Sequence, residues 1–203
     1  MNEYQNVERH MRNEYPQLQI HVYGIDGSIQ TFVQHHPERV NRTLSELQPG
    51  QLFTQDRIKV VGEDSQATFF PPLVTRIDLV TDRFTVWDFP FVLGAPMELT
   101  EAEFMECLQN PGSAYAQSDT PVLLDMEMVS GQHSFLYMNV VAGLPAARLN
   151  RIYSLLKERR LIFGLRTEGI GVLNLANLVR FSVHPEPSEP ANAARSAYCE
   201  IGQ

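Results

Sequence analysis

Apolar and polar residues follow the same pattern in two parts of the chain. The segment 57–80, RIKVVGEDSQATFFPPLVTRIDLV, is matched 104 residues further on by the segment 161–184, LIFGLRTEGIGVLNLANLVRFSVH. Few side chains are identical, but apolar positions and turns come in the same order. Self-similarity at a fixed spacing is typical of repeated structural units. The pattern therefore predicts an internal tandem duplication.

The first half is predicted to be a ββαββ unit. Alternating apolar residues predict its strands, and Asp26-Gly27 is a turn signal because glycine adopts a positive φ without steric cost. Pro37 suits the first position of a helix, where its missing N–H is not needed. Pro71-Pro72 must bend or interrupt the last strand, since proline cannot donate to a ladder. The predicted elements are strands over 18–25 and 28–34, a helix over 37–47, and strands over 57–61 and 67–80.

The second half is predicted to repeat this order. Ser130-Gly131 stands where Asp26-Gly27 stood, and Pro145 stands near a second helix start. The predicted strands cover 122–129, 133–141, 161–165 and 171–183. Both Gly27 and Gly131 are therefore expected to hold hairpin turns at positive φ.

Composition divides the remainder of the chain. Thr100 and Glu103 have the spacing of a capping box, which predicts a short acidic helix from Glu101 to about Gln109. The segment after His184 contains several prolines and few apolar residues, which indicates a tail without a core to join. The predicted parts are an N-terminal helix (1–16), the first repeat with an extra strand (17–92), a linker (93–120), the second repeat (121–184) and a disordered tail (185–203).

These elements predict an α+β fold that is mainly antiparallel sheet. Four or five strands with one helix leave open edges, and two such units can cover one another in a pseudo-two-fold arrangement. Short, strongly twisted strands also curl readily, so two small, partly closed β-barrels are the alternative.

Charge and composition exclude several classes of function. The net charge of −8 repels a polyphosphate backbone, so nucleic acid is not an expected partner. The two cysteines form no disulfide framework or metal spacing. No apolar run reaches the roughly 18 residues of a membrane span, and the N-terminus lacks the apolar region of a signal peptide. A soluble cytoplasmic protein without membrane partner or cofactor is the expectation.

Two sets of residues are candidates for binding. Arg76 and Arg180 hold matching places in the two halves, and pseudo-symmetry could bring both guanidinium groups to one anion or ligand site. The alternative is that each arginine pairs with a nearby carboxylate, Asp78 being one candidate for Arg76. A strand over 84–91 carries an aromatic cluster that could form a partner surface, in a monomer or a small symmetric oligomer. That cluster consists of Trp87, Phe89 and Phe91.

No catalytic signature is present in the sequence. It has no nucleophile elbow, phosphate-binding loop, zinc-protease motif or dinucleotide fingerprint, so no catalytic, cofactor-binding or metal-binding residue is assigned. The favoured expectation is a non-catalytic binding or adaptor module with a cleft between duplicated halves. The alternative is a small-molecule enzyme with a dispersed active site.

The composition of the tail gives a first testable prediction. A chain truncated before Glu186 is expected to keep its melting temperature within a few degrees, because the tail has little apolar surface to bury. Thermal unfolding of the full-length and truncated chains measures this. A larger drop would show that the tail packs against the folded part.

Overall fold

The computed structural model describes residues 17–81, 96–110, 121–139, 152 and 154–184. The predicted elements over 1–16 and 84–91 and the tail lie outside these ranges. The strands are β1 Leu18–Gly24, β2 Ile29–Gln34, β3 Ile58–Val61, β4 Gln66–Phe69, β5 Val74–Val80, β6 Met97–Leu99, β7 Pro121–Met128, β8 His133–Asn139, β9 Arg160–Gly164, β10 Gly169–Asn174 and β11 Leu178–His184. The helices are α1 Pro37–Glu46 and α2 Glu101–Gln109; residues 152 and 154–157 are also helical.

Nine of these strands form one sheet in the order β11-β7-β8-β6-β9-β10-β5-β1-β2, and β3 and β4 form a separate pair. Every pairing is antiparallel except the single parallel bridge between β6 and β9. The prediction of a mainly antiparallel α+β fold is thus confirmed. The sheet is open, so the alternative of two partly closed barrels is wrong.

Local sequence signals produced the turns and helix starts as predicted. Gly27 and Gly131 have φ values of 79° and 78°, as hairpin turns of this kind require. Thr100 and Glu103 form both hydrogen bonds of the capping box at the start of α2. Pro37 begins α1, which buries Val40 and Leu44 on one face.

Two predicted strands are in fact each divided in two. A short 3-10 segment, Pro71–Leu73, separates β4 from β5, because neither proline can donate to a ladder. The 3-10 segment Leu175–Asn177 separates β10 from β11 in the same way. It contains no proline, but the Asn174 side chain accepts from the Ala176 N–H at 3.2 Å and stabilises the turn. Each half therefore contains a further strand beyond the predicted ββαββ unit.

The predicted linker also contains a strand that the sequence analysis missed. β6 has three residues, too few to show an alternating pattern, and it lies between β8 and β9 in the large sheet. The linker is therefore part of the sheet in its described portion.

The corresponding strands of the two halves begin 102 to 104 residues apart. β5 and β11 begin at Val74 and Leu178, which are 104 residues apart, and the same spacing separates Gly27 from Gly131. The strand order β5-β1-β2 is matched by β11-β7-β8. The registers match as well, with Val22 opposite Ile77 in the first half and Met126 opposite Phe181 in the second.

The halves meet where β10 pairs with β5. This contact joins non-equivalent strands, since β10 is the counterpart of β4. The reciprocal pair, β4 with β11, does not occur among the described strands, so the contact is not the pseudo-two-fold one that was expected. Ile170 and Val172 of β10 pack into the hydrophobic core of the first half. The buried residues of the second half form a separate cluster, which includes Leu173 of the same strand.

The hairpin glycines give a second prediction. Gly27→Ala and Gly131→Ala should each lower the free energy of unfolding by about 1 kcal/mol, because a Cβ disfavours the left-handed region. The neighbourhood of either glycine is open, so the loss comes from the backbone alone. Gly50→Ala is the matched control, since Gly50 has no positive φ and its added Cβ would meet only Arg160 at 3.8 Å. Urea unfolding measures all three variants, and equal changes would contradict the turn assignment.

Candidate functional site

Arg76 is a candidate functional residue because it is a buried charged side chain that lies where both halves meet. Arg76 is only 13% exposed and projects from β5 toward β6 and β8. Its Nε donates to Asp78 Oδ1 at 2.6 Å, and its Nη2 donates to Glu98 Oε1 at 2.6 Å. Its Nη1 reaches Ser134 Oγ at 3.5 Å. The guanidinium therefore connects the first half, β6 and the second half.

Two aromatic rings complete this cluster. The Arg76 guanidinium carbon lies 5.2 Å from the centre of the Tyr23 ring and 4.9 Å from that of Phe163, which are cation–π distances. The Tyr23 hydroxyl donates to Asp78 Oδ2 at 2.9 Å. We call Tyr23, Arg76, Asp78, Glu98, Ser134 and Phe163 the Arg76 cluster.

Burial sets the protonation states of the cluster. Burial raises the pKa of Asp78, although Arg76 opposes the rise. Burial and the Asp78 carboxylate raise the pKa of Tyr23, which keeps its hydroxyl a neutral donor. For Arg76, burial lowers the pKa, but Asp78 and Glu98 outweigh it and the pKa is raised. The guanidinium stays charged and its donors are directed at protein groups. The cluster therefore holds strands together and presents no free cation to a ligand.

Arg180 occupies a different environment. It lies on β11, is 60% exposed, and donates from Nε to Glu127 Oε2 at 2.9 Å. Arg76 and Arg180 are each paired with a carboxylate, and they share no partner among the contacts of the described residues. The candidate partner surface of Trp87, Phe89 and Phe91 lies outside the described residues.

Other polar groups in the described ranges pair locally. His35 and His36 both contact Glu63, and His133 Nδ1 lies 2.7 Å from Asp125 Oδ1. Within those ranges, no group of three metal-ligating side chains is close enough to hold an ion. None of the helices described is both long and apolar enough to cross a membrane.

The outer edges of β4 and β11 form a second candidate site. Within the described residues β4 pairs only with β3, and β11 pairs only with β7. Their counterparts β10 and β5 each have a strand on both sides. Accordingly β10 is buried throughout, whereas β4 alternates between exposed and half-buried residues. β4 and β11 are therefore more exposed than their counterparts β10 and β5.

Large apolar side chains lie exposed beside these edges. Phe70 and Leu73 are 51% and 53% exposed at the end of β4, and Val179 is 62% exposed on β11. Asn174 and Thr75, the counterparts of Phe70 and Val179, are buried. Exposed apolar residues beside an unpaired strand are typical of a protein interface.

The hydrogen bonds that β4 and β11 make with their neighbouring strands show which of their main-chain groups point toward the open edge. Gly62 N–H donates to Ser65 O at 2.7 Å, so alternation along β4 directs the N–H groups of Gln66 and Thr68 away from β3. On β7, Met128 N–H donates to Gln132 O at 2.9 Å, toward β8. The β11 residues whose main-chain N–H and C=O groups point away from β7 are therefore Phe181 and Val183.

These edges were not predicted from the sequence, although one signal was available. When the sequences of the two halves are aligned, Gln66 corresponds to Ile170 and Thr68 corresponds to Val172. Polar residues in one copy and apolar residues in the other indicate that one strand is covered and its counterpart is not. The Arg76 cluster was foreseen only in its Asp78 contact, because its other members come from distant parts of the chain.

A third prediction compares the two arginines. Arg76→Ala should lower the free energy of unfolding by about 3–5 kcal/mol, because it leaves Asp78 and Glu98 without their buried partner. Arg180→Ala at the matching position should cost less than about 1 kcal/mol, because its ion pair is solvated. Urea unfolding at neutral pH measures both variants. Similar losses would rule out the structural role given to the Arg76 cluster.

The loss caused by Arg76→Ala should also depend on pH. Without the guanidinium, nothing in this ion pair opposes the rise that burial causes in the Asp78 pKa. Below this raised pKa, Asp78 of the folded variant binds a proton that the unfolded chain holds less tightly, and this binding stabilises the folded variant. The loss of unfolding free energy caused by Arg76→Ala is therefore largest at neutral pH and shrinks as the pH falls. A loss that is constant with pH would exclude Asp78 as its source.

Comparison with known proteins does not assign the chain to a family. No protein-family model matches the sequence, and no match was found among curated proteins or solved structures. A function can therefore be inferred only from the burial, ion pairs and open strand edges described above.

Proposed function

We propose that the chain is a non-catalytic protein-binding module that accepts an extended strand of its partner at the open edge of β4 or β11. The observation that carries this proposal is the contrast in burial between these strands and their counterparts, β10 and β5. An unpaired edge offers a row of main-chain donors and acceptors, and addition of a strand satisfies them.

Exposed side chains beside the edges support the proposal. Phe70 and Leu73 flank β4 and Val179 lies on β11, so an added strand would cover apolar surface as well as form main-chain hydrogen bonds. Main-chain pairing supplies affinity that depends little on sequence, and such side chains supply specificity.

The binding site proposed here differs from a cleft between the halves. The Arg76 cluster occupies the region where the halves meet, and its ion pairs are closed on one another. The same fact weighs against the alternative of a small-molecule enzyme, since the buried polar groups there are engaged with protein partners. The open edges are the better-supported binding surface.

We also propose that the chain arose by tandem duplication of one unit. The constant spacing of 104 residues between Val74 and Leu178 and between Gly27 and Gly131 supports this. So do the matching strand order and registers of the two halves. Duplication explains why a strand edge that is covered in one half has an uncovered counterpart in the other.

Selected peptides provide the test of the proposed function. Random octapeptides displayed on phage are selected on the immobilised chain, and the affinity of the selected peptides is measured on variants. Thr68→Pro removes one outward N–H of β4, and Val179→Glu places a charge beside the edge of β11. We expect one of these changes to weaken each peptide by about tenfold, the effect of losing one to two hydrogen bonds.

Two conservative variants serve as controls. Thr68→Ala keeps the main-chain N–H, and Val179→Thr introduces the residue type found at the counterpart, Thr75. Both should bind the peptides like the unmodified chain. Failure to select any peptide, or peptides that bind both edge variants with unchanged affinity, would refute the proposed function.

A further inference from the structure

We propose that the partner strand belongs to a second copy of this chain, with β4 of one copy paired to β11 of the next. This inference rests on the proposed function, because it names the partner of the same edges. Its basis is the junction of β10 with β5, which already joins the counterparts of β4 and β11 within one chain. The second junction would repeat the first between copies.

The internal junction determines the register between copies. Val172 lies opposite Ile77, and Ile170 lies opposite Leu79. Each residue is replaced by its counterpart 104 residues away in the other half. The expected pairs are then Thr68 opposite Phe181 of the next copy, and Gln66 opposite Val183 of the next copy.

The main-chain groups fit this register. At the internal junction Thr81 N–H donates to Glu168 O at 3.1 Å, so by alternation the Leu79–Ile170 and Ile77–Val172 pairs are the hydrogen-bonded ones. Their counterparts at the open edges are Gln66, Thr68, Phe181 and Val183. These are the residues whose main-chain groups face outward, so donors and acceptors would meet without any change in the strands.

The side chains at the end of the junction also correspond. Asn174 Nδ2 donates to Pro71 O and Val74 O, both at 2.9 Å, and so fastens the internal junction. Between copies, the counterpart of Asn174 is the exposed Phe70, and it would lie against Leu175 and Leu178 of the next copy. Leu73, the counterpart of Asn177, lies beside it. The amide contacts of the internal junction are thus replaced by an apolar contact that covers two exposed residues.

One difference limits the length of the second junction. A Cβ at Gly169 would approach Leu79 O to 2.2 Å, so the internal pairing depends on glycine there. The counterpart of Gly169 is Ser65, which carries a Cβ. Pairing between copies is therefore expected to begin at Gln66, the first residue of β4.

The junction is head-to-tail, since it joins two different edges. A pair of copies would leave one β4 edge and one β11 edge open. Such contacts continue until a ring closes, or else they extend into a filament. The expected assembly is therefore larger than a dimer.

Sedimentation velocity provides the first test. The unmodified chain is expected to sediment at several times its mass of 23.1 kDa. Thr68→Pro should reduce it to a monomer, and Thr68→Ala should leave the assembly intact. Circular dichroism and thermal unfolding confirm that Thr68→Pro is folded; Val179→Glu, which alters an exposed residue, provides the same test from the other edge.

Disulfide cross-linking tests the register. Gly171 lies opposite Asp78 in a non-hydrogen-bonded pair, and its equivalent between copies is Ala67 opposite Ser182. Chains with Ala67→Cys and chains with Ser182→Cys, both carrying Cys199→Ser, are mixed and oxidised. The Cα atoms of such a pair lie about 4.5 Å apart, within disulfide reach. Arg180→Cys replaces Ser182→Cys in the control, because it lies two residues out of register.

The outcomes separate this inference from the proposed function. A mixed disulfide that forms with Ser182→Cys and much less with Arg180→Cys supports the register. An unmodified chain that stays monomeric at its highest soluble concentration, or equal cross-linking in both mixtures, overturns self-pairing. Peptide binding that remains sensitive to Thr68→Pro or Val179→Glu would then leave the proposed function standing with another protein as the partner.

Discussion

The pairing of β10 with β5 is the contact on which the rest of the described structure depends. It connects the three-stranded unit β5-β1-β2 to the remainder of the large sheet, and it carries Ile170 and Val172 into the core of the first half. It also covers one edge of β5, the strand from which Arg76 and Asp78 project, and the burial of these two side chains makes their ion pair structurally important. Without this junction, β5 would be an edge strand like β11.

Equivalent positions in the two halves differ because of that junction. Arg76 is enclosed by two carboxylates and two rings, whereas Arg180 has one carboxylate and is largely in solvent. The local strands and their registers are the same in both halves. The two halves differ in whether a further strand pairs with the outer edge of β5 or β11. A covered arginine lies in surroundings of lower dielectric constant, so its ion pairs contribute more to stability than those of an exposed arginine.

The proposed assembly relates function to this asymmetry. An unpaired edge strand is a hazard for uncontrolled association, and natural proteins cover or disrupt such edges. Here the main-chain groups of Gln66 and Thr68 on β4 and of Phe181 and Val183 on β11 point outward. The exposed apolar residues Phe70, Leu73 and Val179 lie beside these edges. In the proposed assembly Phe70 would meet Leu175 and Leu178 of the next copy at the register of the internal junction, and this contact favours defined head-to-tail pairing over indiscriminate pairing.

The sequence alone was enough to predict the local elements, namely both hairpin glycines, the capping box of α2, the start of α1 and most strands, because these depend on interactions between near neighbours. It also indicated the contact between Arg76 and Asp78, two residues apart on one strand. Three features are visible only in the folded chain. β10 pairs with β5, the three-residue β6 lies within the sheet, and Glu98 and Phe163 contact Arg76. Strand neighbours are chosen by main-chain hydrogen bonds and burial between segments distant in the chain, and the periodicity of one segment does not record which other segment will cover it.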